Sequence, residues 1–201
     1  MLCERSVFCK AQERGWKCHF INAYPEIFFQ HSRQRGRWTC TTLMSRAAGL
    51  KLNGEEEVRL GKAVTAGLTQ RAWREKLGLE VPVIMPEEAA ERVLESMDQV
   101  DLLLYEYYLT DKAGHGRSRL QASEILERYG RFLRRLLKGV KSGHTLVLCS
   151  DHGNLEDLSV KTHTCNLVPL YVQGPGSRHF RRAERITDVT PAILAVLEEE
   201  G

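Results

Sequence analysis

Apolar residues in this chain fall into short runs separated by longer amphipathic stretches, the rhythm of a fold in which strands alternate with helices. The runs at 16–23, 100–108, 146–150 and 168–172 are each predicted as strands. Between the second and third, Ile125, Leu126, Tyr129, Phe132, Leu133, Leu136 and Leu137 recur at three- and four-residue intervals. That spacing predicts a long amphipathic helix over Arg119–Lys138. Strand, helix, strand crossovers are right-handed in nearly all proteins, so the strands flanking this helix are expected in one parallel sheet with their carboxyl ends on the same edge.

Shorter elements complete the pattern. Residues 1–15 read as a short helix feeding the first strand, and Tyr24–Phe29 is followed by a polar loop ending at Trp38. The stretch from Thr39 to Gly78 has helical character, with Glu55, Glu56 and Glu57 at an amino-terminal turn where carboxylates complement the helix dipole. Pro86 opens a further helix with Glu87 and Glu88 behind it, and Ile186–Leu194 reads as the start of a last one. Residues 36–85 show no strand of convincing length. They are expected to form a helical cap or side lobe within a single domain over residues 1–201.

Two predicted strands stop on side chains able to hold a metal. Leu146-Val147-Leu148-Cys149-Ser150 runs into Asp151-His152-Gly153-Asn154, and the run ending at Tyr108 leads into Asp111 and His115. His163 follows just before the strand at 168–172. The carboxyl ends of strands in open α/β sheets are where ligands bind, and Gly153 permits the tight or positive-φ backbone that would turn Asp151 and His152 to one point. Mixed Asp and His ligands suit Mn²⁺, Zn²⁺ or Fe²⁺ better than Ca²⁺ or Mg²⁺. Five such groups exceed what one four-coordinate centre with an open position needs, so a pair of ions is the natural arithmetic.

Composition narrows the class further. A chain of 201 residues with 42% hydrophobic content can bury a substantial core. Its 29 Lys and Arg against 26 Asp and Glu give no clustered basic stripe, so nucleic acid is not an expected partner. Arg-rich pieces at 32–37 and 177–182 read as solvated loops. No signal-peptide core and no membrane-length apolar run is found, and six irregularly spaced cysteines without a C-x-x-C pair point to free thiols in the cytoplasm. The remaining polar residues have ordinary readings: Ser6 as a solvent-facing or capping serine, Asp188 as a helix cap, His144 in a turn, His179 in a solvated loop, Cys165 as a bystander, and His19 and His31 outside any motif.

Three fragments, Asp111-x-x-Gly114-His115, Ser150-Asp151-His152-Gly153-Asn154-x-Glu156 and His163-Thr164-x-Asn166-x-Val168-Pro169, resemble the alkaline phosphatase superfamily in order and content. The likeness is greatest to its metalloenzyme branch, which includes cofactor-independent phosphoglycerate mutase. It covers residues 100 to 200 well and residues 1 to 30 more faintly. The resemblance implies a three-layer α/β/α sandwich with a mainly parallel sheet. It implies two divalent ions, Mn²⁺ or Zn²⁺, with Asp111, His115 and His163 on one and Asp151 and His152 on the other. The implied activity is that of a phosphatase or phosphomutase acting on a small phosphate or sulfate ester. Phosphoesterases with an Asp-His-His triplet at a strand end fit less well, because the third position is Gly153 and His163 would have no role.

The same comparison shows departures. Family members begin with a strand ending on an Asp ligand, followed by a Ser or Thr nucleophile, and neither is found here, so no catalytic nucleophile is assigned. The chain is expected to be truncated at its amino terminus. An open sheet edge would follow, inviting self-association or a partner chain. The alternative function is a catalytically inactive metal-binding remnant, or a subunit that takes the missing segment from another polypeptide.

Overall fold

Ser6, Pro25, Gly54 and Pro86 mark helix starts in the chain, and the computed structural model, which describes residues 5–118 and 120–200, places a helix directly after each of the first three and on the fourth. The helix starts expected at Met1 and at Arg119 lie outside the described residues. Chain contacts gather into two compact units, one running to Tyr107 and including Arg128–Lys138, the other holding Tyr108–Glu127 and the described residues from Gly139 onward.

The first unit begins with α1 (Val7–Gln12), capped by Ser6, whose Oγ accepts the Cys9 amide at 3.4 Å. Strand β1 (Cys18–Phe20) and strand β2 (Asn22–Ala23) follow, so the apolar run predicted as one strand is divided at Ile21. Helices α2 (Glu26–Arg35), α3 (Cys40–Ala47) and α4 (Glu55–Arg59) lead to the short strand β3 (Val64–Thr65). Then come α5 (Arg71–Leu77), α6 (Pro86–Met97) and β4 (Leu102–Leu104). Strand β1 pairs in parallel with β4, with Cys18 opposite Leu102, and β2 pairs in parallel with β3. The segment expected as an insertion is therefore tied by β3 to the strands of its own unit.

Side-chain amides extend this pairing. Buried Asn22 donates through Nδ2 to the Glu106 carbonyl at 2.7 Å and accepts the Glu106 amide through Oδ1 at 2.8 Å, reproducing a ladder rung past the end of β4. Asn53, also buried, donates to the Phe20 carbonyl at 2.9 Å. Buried backbone groups need partners wherever they fall, and these asparagines supply them at the strand ends. Beneath them Ala23, Val58, Ala63, Trp73 and Val81 form one apolar cluster.

Two expectations are corrected here. The polar stretch ending at Trp38 is mostly helix α2, not loop: Pro25 fixes an extended entry, Arg33 pairs with Glu26 at 2.6 Å, and Gly36 in the left-handed region ends it. The long helix α8 (Ala122–Gly139) forms as its periodicity predicts, burying Ile125, Phe132 and Leu136, but Leu126 stands about half exposed. Within the first unit its Arg131 grips Glu87 of α6 with two hydrogen bonds of 2.7 and 2.8 Å.

In the second unit, α7 (Leu109–Gly114) precedes α8, and β5 (Leu146–Cys149) pairs with β6 (Leu170–Gln173). That pairing is antiparallel, with Val147 opposite Val172. Both valines pack on Phe180, Ala192 and Val196, where Ala192 and Val196 belong to the last helix, α9 (Val189–Glu200). Among the described residues two of the three strand pairings are parallel, and the fold is α/β. Strand β5 thus returns through a long loop to an antiparallel neighbour. The residues at 177–182 are not a plain loop either. A 3₁₀ helix over Pro175–Phe180 buries Phe180, and Arg178 and His179 both pair with Glu199. Asp188 does cap, accepting the Glu184 and Arg185 amides at 3.0 and 2.9 Å at the turn before α9.

Glu57 offers a test of one local device. Its carboxylate accepts from Lys51 at 2.6 Å and from the Gly54 amide at 2.8 Å, which holds its pKa down at about 2 against an ordinary 4.5. A folded-state value below the unfolded one means stabilisation that is complete above about pH 4.5 and lost as pH falls toward 2. At pH 7, Glu57→Gln should cost on the order of 1 kcal/mol, as loss of a helix cap does. Thermal melts of variant and parent should converge as the pH approaches 2, and a gap independent of pH would contradict this reading.

Candidate metal centre

Asp111 lies in the first turn of α7 and His115 caps its end, with the His115 amide on the Asp111 carbonyl at 3.0 Å. His115 follows Asp111 by four positions, which sets both side chains on one face. Asp111 is thus on a helix and not at the tip of a strand, since β4 ends at Leu104. After β5, the Ser150 hydroxyl donates to the His152 carbonyl at 2.9 Å and tightens the turn carrying Asp151 and His152. Gly153 then forms an antiparallel bridge with Thr164, the Thr164 amide donating to the Gly153 carbonyl at 2.9 Å. The glycine is required here for close approach, not for positive φ: a Cβ at this position would overlap the Thr164 hydroxyl. That bridge carries His163 to the same place.

The outcome is a convergence on one oxygen. Asp111 Oδ1 lies 3.2 Å from His115 Nε2, 3.3 Å from His163 Nε2 and 3.7 Å from His152 Nε2. His115 Nε2 and His163 Nε2 are 3.2 Å apart, and the His152 and His163 rings stack with centroids 3.5 Å apart. Asp151, with its side chain 77% exposed, reaches the group through His152, whose Nε2 is 3.5 Å from its Oδ1. Asp111, His152 and His163 offer ligand atoms all within 4.8 Å of one another.

The outward-facing nitrogens are equally informative. His115 Nδ1 donates to the Lys161 carbonyl at 2.6 Å, and His152 Nδ1 faces the Gly153 carbonyl at 3.4 Å. A carbonyl only accepts, so each neutral ring carries its proton on Nδ1 and turns the Nε2 lone pair inward. The His115 and His152 lone pairs then face the Asp111 carboxylate oxygen at 3.2 and 3.7 Å, an arrangement that calls for a cation at its centre. Imidazole nitrogens held by backbone carbonyls are the usual supports of metal-binding histidines. The residues fit a divalent transition ion.

Two further residues organise the centre, and the sequence showed them only as letters of a motif. Asn154 is buried and its Nδ2 donates to Asp111 Oδ1 at 3.1 Å. Glu156 accepts the Asn154 amide at 2.6 Å, the Asn166 side chain at 3.0 Å and the Thr164 hydroxyl. These bonds, Thr164's foremost, hold its carboxyl down at about 2. Other candidates have local settings of their own: burial, then Lys17, lowers the His19 pKa, the His144 amide closes a turn on the Lys141 carbonyl, and Cys165 is an exposed free thiol.

A family model described as the metalloenzyme superfamily matches residues 82–200. The match spans more than half of the chain, and the chain belongs to that family. Among curated relatives, the 2,3-bisphosphoglycerate-independent phosphoglycerate mutase of Desulforudis audaxviator is 28% identical over 124 residues, 58% of this chain and 24% of that protein. The enzyme of the same name from Trichormus variabilis is 32% identical over 113 residues, 48% of this chain and 21% of that one. The chain thus spans about a quarter of the length of the curated relatives it matches. Among solved structures, the PH0037 protein from Pyrococcus horikoshii superposes with a TM-score of 0.59, covering 94% of this chain and 44% of its own. At 17% identity that likeness concerns the fold alone. Among the described residues, no helix is long and apolar enough to cross a membrane.

Glu156→Ala removes the shared acceptor of two loops while leaving every candidate ligand in place. Hydrogen exchange at the Thr164 amide should accelerate roughly tenfold, because the Gly153–Thr164 bridge would open locally more often. Unchanged protection at Thr164 would show that the bridge stands without Glu156.

Proposed function

We propose that this chain supplies the metal-binding part of a phosphoryl-transfer enzyme of the phosphoglycerate mutase kind, acting on a small phosphate ester. The observation that carries the reading is the meeting of His115, His152 and His163 on Asp111 Oδ1 within 3.2–3.7 Å. Membership of the metalloenzyme superfamily and the names of the matching relatives support it. In this reading Asp111, His115 and His163 hold one divalent ion, and Asp151 and His152 contribute to a second. Mn²⁺ and Zn²⁺ suit the donor set best.

Bound divalent ions supply charge neutralisation for a phosphoryl group undergoing in-line attack. The protein's own part is to orient. The Lys161 carbonyl fixes the His115 tautomer, and the Gly153–Thr164 bridge fixes His163 against His152. No residue of the chain is assigned the role of nucleophile: Ser6 is buried and committed to the cap of α1. A sulfate ester is the nearest competing substrate class, since the tetrahedral anion presents similar oxygens. Free thiols at Cys18, Cys40, Cys149 and Cys165 support a reducing compartment, the cytoplasm, as its location.

Elemental analysis of chain purified with Mn²⁺ and Zn²⁺ present should find about one or two equivalents bound. His163→Ala and Asp111→Ala should each weaken binding about 10- to 100-fold, and Asp151→Ala less, because its side chain stands largely in solvent. The loaded chain should then be assayed for phosphate- and sulfate-monoester turnover. A folded chain with no bound metal would overturn the proposal; metal binding without turnover would limit this chain to the metal-binding role.

A further inference from the structure

The best-buried polar side chain at the centre is one that no ligand role requires. Asn154 is 5% exposed, and its Nδ2 donates at 3.1 Å to Asp111 Oδ1, the same oxygen on which the three imidazoles converge. Its own amide nitrogen is held by Glu156 Oε2 at 2.6 Å, so the residue's backbone is fixed independently of its side chain. The other end of the side-chain amide is left over: Asn154 Oδ1 is buried with no hydrogen-bond partner among the described residues. It rests against Gly114 of α7, where a Cβ would overlap it.

An asparagine retained only for packing or backbone satisfaction would be expected to use both ends of its amide, because a buried acceptor without a donor is destabilising. This one satisfies only the end that faces the carboxylate. We propose that Asn154 is a positioning residue of the metal centre, which fixes the direction of the Asp111 carboxylate and occupies one lone pair of Oδ1 so that the other is aimed at the cation. Gly114, between Asp111 and His115, is the helix position that makes room for it. The proposal rests on the reading that this cluster holds a divalent cation. It adds a residue that would not touch the ion but would set how tightly and in what geometry the ion is held.

Co²⁺ is a suitable probe, because its visible absorption bands report coordination geometry as well as binding. The metal-free full chain is titrated with Co²⁺ alongside Asn154→Ala and Gly114→Ala, and the thermal midpoint of each metal-free chain is measured in parallel. Asn154→Ala removes the amide without adding bulk; Gly114→Ala crowds the amide while leaving it and every ligand present. Both variants should bind Co²⁺ about 10- to 100-fold more weakly than the parent and show altered band intensities. The metal-free midpoint of Asn154→Ala should change little, since the bond lost to Asp111 is offset by removal of a buried acceptor that had no donor. Co²⁺ affinity within about twofold of the parent would overturn the proposal. So would a loss of affinity that merely follows a fall in the metal-free midpoint with the band shape unchanged. If the parent chain itself gives no Co²⁺ bands, the metal reading of the cluster fails and the role of Asn154 fails with it; if the parent binds and Asn154→Ala binds equally well, only the asparagine inference fails.

Discussion

One carboxylate oxygen, Oδ1 of Asp111, is the point on which the centre depends. Three imidazole nitrogens and one side-chain amide converge on it, that of His115 from the same helix and the others from segments some forty residues away. The amide is a donor and relieves the crowding of acceptors, whereas the His115 and His152 imidazoles, with their protons turned to backbone carbonyls, add lone pairs to it. Such a site is poorly satisfied by protein alone and well satisfied by a cation.

Much of the local architecture follows from bringing these acceptors together. Helix α7 supplies Asp111 and His115 from one face, the turn after β5 supplies His152, and a single antiparallel bridge at Gly153 and Thr164 brings in His163. Glu156 binds both sides of that bridge, so an ordinary surface carboxylate serves as the clasp of the two loops that carry His152 and His163. Glycine is needed twice for space: at Gly153 a side chain would enter Thr164, and at Gly114 it would enter Asn154. In the other unit the same economy appears without any chemistry, where Asn22 and Asn53 complete strand ends through their side chains.

Local patterns were readable wherever the physical cause is local. Proline at the first turn followed by acids fixed the start of α6, the spacing from Ile125 to Leu137 announced α8, and Glu55–Glu57 marked α4. Misreadings fell where a polar segment is ordered by neighbours instead of by its own pattern. Helix α2 has little apolar periodicity but is anchored by aromatic contacts, with Tyr24 and Phe28 stacked at 4.3 Å and Trp38 edge-on to Phe28. The antiparallel return from β5 to β6 was missed for a related reason: alternation of strand and helix suggests parallel crossovers, but a long polar loop can fold back on itself and reverse the next strand.

For the candidate centre the division is similar. The sequence by itself determined the chemistry: which side chains can ligate, their mixture of carboxylate and imidazole, and the helical spacing that pairs Asp111 with His115, because residue type and short-range geometry are properties of the chain. Only the tertiary structure decided that Asp111 Oδ1 is the shared focus, that Asp151 stands at the margin, that Gly153 serves close packing, and that Asn154 and Glu156 hold the arrangement. The focus on Asp111 depends on distances between segments some forty residues apart, and the Gly153–Thr164 bridge on the return of an irregular loop, neither of which a local pattern encodes.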